Sequence, residues 1–514
     1  MPRLNKPHKE KTQSALLLPD ISPLIWIHGP GPGSRGSVLV ILAQNGYTRE
    51  ARTVIGLSKT ASLIGRDSDG GLPVLWDVMG KVRRKNGLTR LMAICATHGS
   101  LSPQRALALI RDHNVDVRAR DDEGRTALHY ALNGCTFSDP WPKNNPINTE
   151  LIRVLIEACP ELVKLRDGKK RLPLYYACRE YAPFDVIKLL LYIHPEGLQY
   201  VPFETLPPST LVALAKEKVV KENGVAAGDV ASALSFFAVS ESGCQICINA
   251  GATLALTELA RQNAVKEDSD AAWYAAYALR NIAASESGRQ SCINAGAPLA
   301  LTELARQKAV KENGNAAGNV ASALGNIAKS ESGRQSCINA GATLALTELA
   351  RQKAVKENGN AAGNVARALG NIAECETGIQ SCINAGAPLA LTELARQKAV
   401  KVNSDAAGDV AIALGNIAAS DTGCQSCIDA GAPLALTELA TQNAVKENGS
   451  AARYVAIALG NIAKSDTGRQ SCTAAGAPLA LTGLARLKAV KEDTNAAVKD
   501  IANAYKIITG KDLK

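Results

Sequence analysis

In the second half of the chain, apolar residues recur at helical spacing, in blocks that are nearly the same each time. Between residues 330 and 374, Leu344, Leu346, Leu349 and Val355 mark the apolar side of a helix predicted over about 343–356. Val365, Ala366, Leu369 and Ile372 mark another over about 361–373. A shorter first helix is predicted over 334–340, opened by Ser330-Glu331-Ser332-Gly333. Two breaks separate the three. Gly341, within Asn-Ala-Gly-Ala, sits where a sharp turn needs a residue tolerant of positive φ. Glu357-Asn358-Gly359-Asn360 is a polar interruption made of turn residues. Other copies carry Pro at the Thr343 position (Pro298, Pro388, Pro433 and Pro478), in the first helical turn, where a missing N–H costs nothing.

The block has a fixed period. Cys-Ile-Asn-Ala-Gly begins at Cys247, Cys292, Cys337 and Cys382, with variants at Cys427 and Cys472, each 45 residues after the last. A period of this size predicts an all-α solenoid, in which each unit buries its apolar face against its neighbours. Composition agrees: 46% of residues are hydrophobic but only 4% aromatic, which suits thin layers of small and branched side chains.

Three helices per unit, the Ala-Gly-Ala hinge and Ala-Leu-x-Asn-Ile-Ala in the third helix resemble the armadillo repeat, over about 205–514 with a divergent first unit at 209–239. The 45-residue unit is longer than is usual for that family, and the excess falls in the Ala-Val-Lys-Glu-Asn-Gly-Asn connection. The resemblance implies an armadillo-type superhelix whose third helices line a concave groove for extended peptides or partner helices.

The differences between copies cluster on the third helix. A stripe at i, i+3 and i+7 runs through Asn319, Ser322 and Asn326. The last position repeats as Asn281, Asn326, Asn371, Asn416 and Asn461, with Phe236 in the first unit. The middle position reads Ser232, Tyr277, Ser322, Arg367, Ile412 and Ile457; the first reads Asp229, Tyr274, Asn319, Asn364, Asp409 and Tyr454. Beside it, Gly318 is replaced by Trp273 and Arg453 in two units. The pattern predicts a constant scaffold presenting a variable groove. In the armadillo family an Asn at this place holds the ligand backbone, as an amide that both donates and accepts can do; the alternative is that each Asn bridges its own scaffold. Trp273, Tyr274, Tyr277 and Arg280 form an aromatic-basic cluster of the kind that dominates interfaces. Import receptors of the importin-α type place Trp four residues before the ladder Asn, where this chain has Tyr277, Ser322, Arg367, Ile412 and Ile457.

The chain carries +10 formal charge, and the unit 292–336 contributes five cations against three anions. Both signs are interspersed, as on a solvated face; a nucleic-acid surface would be a denser one-sided stripe. With Arg367 and Arg453 on the groove, a neutral or acidic protein or peptide is the expected partner.

Residues 86–197 carry a second pattern. Asp122-Glu123-Gly124-Arg125-Thr126-Ala127-Leu128-His129-Tyr130-Ala131 and Arg171-Leu172-Pro173-Leu174-Tyr175-Tyr176-Ala177-Cys178 resemble the ankyrin signature, with Tyr175 in place of the usual His. An earlier copy at Asn86-Gly87-Leu88-Thr89, helices at 106–111 and 185–191, an insert at 133–149 and a degenerate unit at 37–81 complete the resemblance, which implies protein binding. The expected domains are therefore a flexible basic segment at 1–35, ankyrin-like repeats at 36–200, a Pro-rich linker at 201–208 and the array at 209–514.

Little in the chain points to catalysis. The Gly-rich stretch 29–37 lacks the Lys of a phosphate loop. In Cys244-x-x-Cys247 and Cys424-x-x-Cys427 the second Cys is the recurring one, and small buried thiols account for both pairs. All six His lie at or before His194. No apolar run nears a membrane span, and thirteen Cys without an export signal predict an intracellular chain, in cytoplasm or nucleus. The expectation is a non-catalytic scaffold or adaptor with no cofactor or metal; the alternatives are an importin-like carrier and a nucleic-acid-binding solenoid.

Overall fold

A computed structural model describes residues 89–97, 102–111, 115–133, 147–487, 490 and 495–513. The expectations for residues 1–88, among them the ankyrin-like copy opening at Asn86-Gly87-Leu88, and for most of the insert at 133–149 lie outside the described residues. Among those described, every regular element is helical. The chain divides into two compact units at Pro202 and Phe203.

The first unit is built of helix pairs: Arg90–Thr97 with Ser102–Arg111, Ala127–Asn133 with Thr149–Ala158, and Pro173–Arg179 with Phe184–Ile193. A buried aspartate organises the turn before each of the last two pairs. Asp121 accepts from the N–H groups of Glu123 (3.0 Å) and Arg125 (2.7 Å) and from the Tyr130 hydroxyl (2.6 Å). Asp167 repeats the pattern with Lys169, Arg171 and Tyr176. The Gly168 N–H donates to the Glu123 carbonyl (2.6 Å) and ties one turn to the next. His129 is fully buried, and its Nδ1 accepts from the Thr126 N–H at 3.1 Å.

The second unit is a stack of seven layers. Layer 4 shows the plan: Glu331–Asn339, Ala342–Ala350, Lys353–Lys356 and Gly359–Ile372. The Ser330 hydroxyl caps the first helix by accepting from the Gly333 N–H (3.2 Å), and the Asn358 amide oxygen caps the last by accepting from the Ala361 N–H (3.1 Å). Gly341 turns between the first two helices at φ +72°.

Two expectations need correction. The helix predicted over 343–356 is two helices, broken where Gln352 is extended (φ −71°, ψ 141°). The apolar phase explains the break. Val355 lies nine residues after Leu346, half a turn out of register, and only a kink brings both inside, where each is fully buried. Leu344, placed above with the buried side, is 45% exposed. It stands two residues from Leu346, about 200° around the helix.

The third helices (Gly224–Phe237, Ser269–Ile282, Gly314–Ile327, Gly359–Ile372, Ser404–Ile417, Gly449–Ile462, then Asn495–Thr509) stack along their length. Glycine permits the approach: a Cβ on Gly325 would stand 3.2 Å from the Ala368 Cα of the next layer. The first helices touch their successors over a shorter contact. Repeated single links join the layers elsewhere. Lys266 pairs with Glu303 and Lys356 with Glu393, each at 2.9 Å. The fully buried Cys337 and Cys382 thiols donate to the Leu324 and Leu369 carbonyls, each at 3.8 Å.

Candidate partner-binding groove

Each third helix buries its small face in the stack and leaves one polar stripe outside. In layer 3 the stripe is Asn315, Asn319 and Asn326, with Ser322 nearly buried between them; in layer 4 it is Asn360, Asn364, Arg367 and Asn371. Layer 5 presents Asp405, Asp409, Ile412 and Asn416, and layer 6 presents Ser450, Tyr454, Ile457 and Asn461. The positions of Asn315, Asn360, Asp405 and Ser450 escaped the sequence reading. They lie one turn before the stripe, at i−4, and extending the helical spacing backward finds them.

The ladder amides do scaffold work with their donor half. The Nδ2 groups of Asn326, Asn371, Asn416 and Asn461 donate to the carbonyls of Arg280 (3.1 Å), Gly325 (2.9 Å), Gly370 (3.0 Å) and Gly415 (3.0 Å) in the preceding layer. Asn281 makes a longer bond to the Ser235 carbonyl, at 3.4 Å. Each Oδ1 acceptor is left without a partner among the described residues. A second amide row runs beside the first, as Asn358 donates to Asn315 (3.0 Å) and Asn403 to Asn360 (3.1 Å).

The aromatic cluster lies at the joint between layers 2 and 3. Trp273 stacks on Tyr277 (centroids 5.1 Å apart, planes at 10°), and Tyr274 meets Trp273 edge-on at 4.6 Å. The Arg280 guanidinium lies over Tyr277 at 5.5 Å. All four side chains are half-exposed. Trp273 and Arg280 occupy the places taken in layer 3 by the close-packing Gly318 and Gly325.

Arg367 and Arg453 are not free cations. Arg367 pairs with Asp409 of the next layer (3.1 Å) and bonds Asn364 (2.9 Å); Arg453 pairs with Asp500 (2.5 Å). Burial raises the Asp409 carboxyl above its ordinary range, with Arg367 opposing. The charge premise fails more broadly. Residues 203–514 hold 30 Lys and Arg against 29 Asp and Glu, a net of +1, so 9 of the 10 net positive charges precede the array. A concavity of about 800 Å³ opens between the third helices of layers 5 and 6, lined by Arg367, Asp405, Asp409, Ile412, Glu447 and Tyr454 among others.

The Cys-x-x-Cys pairs are buried thiols: Cys244 and Cys424 donate to the Ile282 and Ile462 carbonyls at 3.7 and 3.1 Å. Among the described residues no helix is long and apolar enough to cross a membrane.

Helix order, hinge and layer packing define an armadillo-type helical repeat protein. No family model matches the chain, and no curated protein does. Among solved structures, an engineered protein is 20% identical over 94% of this chain and 97% of its own, with a TM-score of 0.48. A second engineered protein is 30% identical over 50% of this chain and 98% of its own, at 0.43. A designed armadillo repeat protein in complex with the peptide (KR)4 is 22% identical over 50% and 98%, at 0.40.

Proposed function

We propose that the chain is a non-catalytic scaffold or adaptor that holds an extended segment of a partner protein along its third-helix face. One contrast supports the reading. From layer to layer the buried positions of the third helix stay nearly constant, while one exposed position reads Ser232, Tyr277, Ser322, Arg367, Ile412, Ile457. A surface that only meets solvent has no need of such variation. A surface that meets a different side chain of one ligand in each layer does. The unpartnered Oδ1 atoms of Asn281, Asn326, Asn371, Asn416 and Asn461 then accept from ligand backbone N–H groups, and Trp273, Tyr274, Tyr277 and Arg280 supply an anchor whose truncation costs roughly 2 kcal/mol or more. The helix pairs before Pro202, with their ankyrin-like turns, provide a second protein-binding surface.

The test is affinity purification from the native cell, quantified by mass spectrometry, with wild type beside a Trp273→Ala, Tyr274→Ala, Tyr277→Ala variant of unchanged helicity. Partners lost only from the variant support the groove; an identical partner list removes it. A carrier of basic segments is the second reading, favoured by Asp405, Asp409 and Glu447 around the layer 5–6 concavity. It requires saturable binding of a Lys-rich peptide that weakens in Asp405→Asn, Glu447→Gln. A nucleic-acid solenoid loses its motive with the balanced charge of the array.

A further inference from the structure

The second-helix side of the array carries a feature that the groove does not use. Each second helix packs its Ala and Leu residues on the third helix of its layer and exposes one leucine in its first turn. Leu299, Leu344, Leu389 and Leu434 are 45–47% exposed, in the same place layer after layer. Three residues before each hinge glycine, at the end of the first helix, stand the half-buried Ile293, Ile338, Ile383 and Ile428. Every layer thus offers two apolar side chains flanking one hinge. An exposed apolar position repeated layer after layer is the kind of surface that interaction sites are built from.

A cation accompanies three of the four pairs. Arg261, Arg351 and Arg396 donate to the hinge carbonyls of Gly296, Gly386 and Gly431 in the following layer, at 3.2, 3.3 and 3.5 Å, three residues from its exposed leucine. Among the described residues none of these guanidiniums is paired with a carboxylate. The ridge therefore alternates leucine and uncompensated arginine along its length. Unlike the groove stripe, the Ile and Leu positions do not vary from layer 3 to layer 6, although Thr441 ends the arginine row.

We propose that this ridge docks an amphipathic α-helix of a partner protein, with two apolar residues per heptad and carboxylates along one flank. Period and charge select that occupant. Stacked helical layers repeat at roughly 10 Å, and a heptad of α-helix advances about 10.5 Å, so one heptad matches one layer and a and d residues meet one Ile–Leu pair. Acidic flanking residues meet the arginines. A lipid surface has no period to match, and side chains only half clear of the ridge insert poorly. A second copy would bring arginine against arginine.

The probe is a fluorescent 28-residue helix of four heptads, Leu at a and d, Glu at the flanks, titrated into the full chain by anisotropy. Saturable binding, weakened at least about tenfold in Leu344→Ser, Leu389→Ser and again in Arg351→Ala, supports the proposal. Because these side chains are exposed, circular dichroism should show unchanged helicity; Arg351→Ala alone serves if the double variant loses it. The Trp273→Ala, Tyr274→Ala, Tyr277→Ala variant should bind the probe like wild type, which separates the ridge from the groove. Four results overturn the proposal: no saturable binding below about 100 µM, equal binding of the same composition at an eleven-residue repeat, ridge-dependent binding of anionic vesicles without the probe, or self-association abolished by the ridge substitutions.

Discussion

The helix pairs before Pro202 and the layers after it solve the same problem with different chemistry. In the first unit a few buried ionisable groups hold each turn: Asp121 with Arg125 and Tyr130, Asp167 with Arg171 and Tyr176, and His129 beneath Thr126. The array has no histidine and uses many small, mostly uncharged links, each repeated at the next layer. Stability is concentrated in the first case and distributed in the second. The first unit should therefore respond to pH, and the array to local steric damage passed from layer to layer.

The largest effect should come from Gly333→Ala. The new Cβ would fall 1.8 Å from the Ile327 carbonyl oxygen, a backbone atom that cannot swing away. We expect a loss on the order of 3 kcal/mol or more and, in denaturant followed by circular dichroism, a split transition as layers 1–3 part from layers 4–7. An unchanged midpoint would refute the close layering.

Next is acid. Burial pushes the His129 imidazole down to about 4. A base with a depressed pKa binds fewer protons folded than unfolded, so its stabilising effect is full above its ordinary value and is lost as pH falls from about 6.5 toward 4, a total of about 3 kcal/mol. Thermal melts at pH 7 and pH 4.5 should move the transition of the first unit far more than that of the array. Equal shifts would erase the contrast.

A smaller effect is expected of Asn371→Ala, which removes the bond to the Gly325 carbonyl (2.9 Å) and leaves a buried acceptor unmet. About 1–2 kcal/mol should appear in the denaturation midpoint. No shift would mean that the ladder amides serve only the ligand. The smallest is Lys356→Ala. Its pair with Glu393 is only part-buried, and about 1 kcal/mol or less is at stake; a loss several times larger would show that the links act cooperatively.

The array was legible because its signals are local and repeated: the hinge at Gly341, the cap at Ser330, and the stripe through Asn319 and Asn326. The kink at Gln352 was missed because no Gly or Pro marks it, although the half-turn offset between Leu346 and Val355 carried the signal. Leu344 was misplaced by counting leucines without their angles. The commitments of Arg367 to Asp409 and of Arg453 to Asp500 could not be read, because each partner sits more than 40 residues away and only the layer register brings the two together. That the ladder Asn could bridge the scaffold was one of two readings, but its acceptor, a carbonyl 46 residues back, was unreadable for the same reason.

The recurring cysteine has a consequence for watching this molecule at work. Burial pushes the thiols of Cys292, Cys337, Cys382, Cys427 and Cys472 up to about 12, so near neutral pH each is almost wholly protonated and slow to alkylate. A thiol reagent reaches one only when its layer opens. With one such group in each of these layers, the array carries a row of built-in clocks. Peptide-resolved labelling would time the opening of every layer separately, with no foreign probe attached.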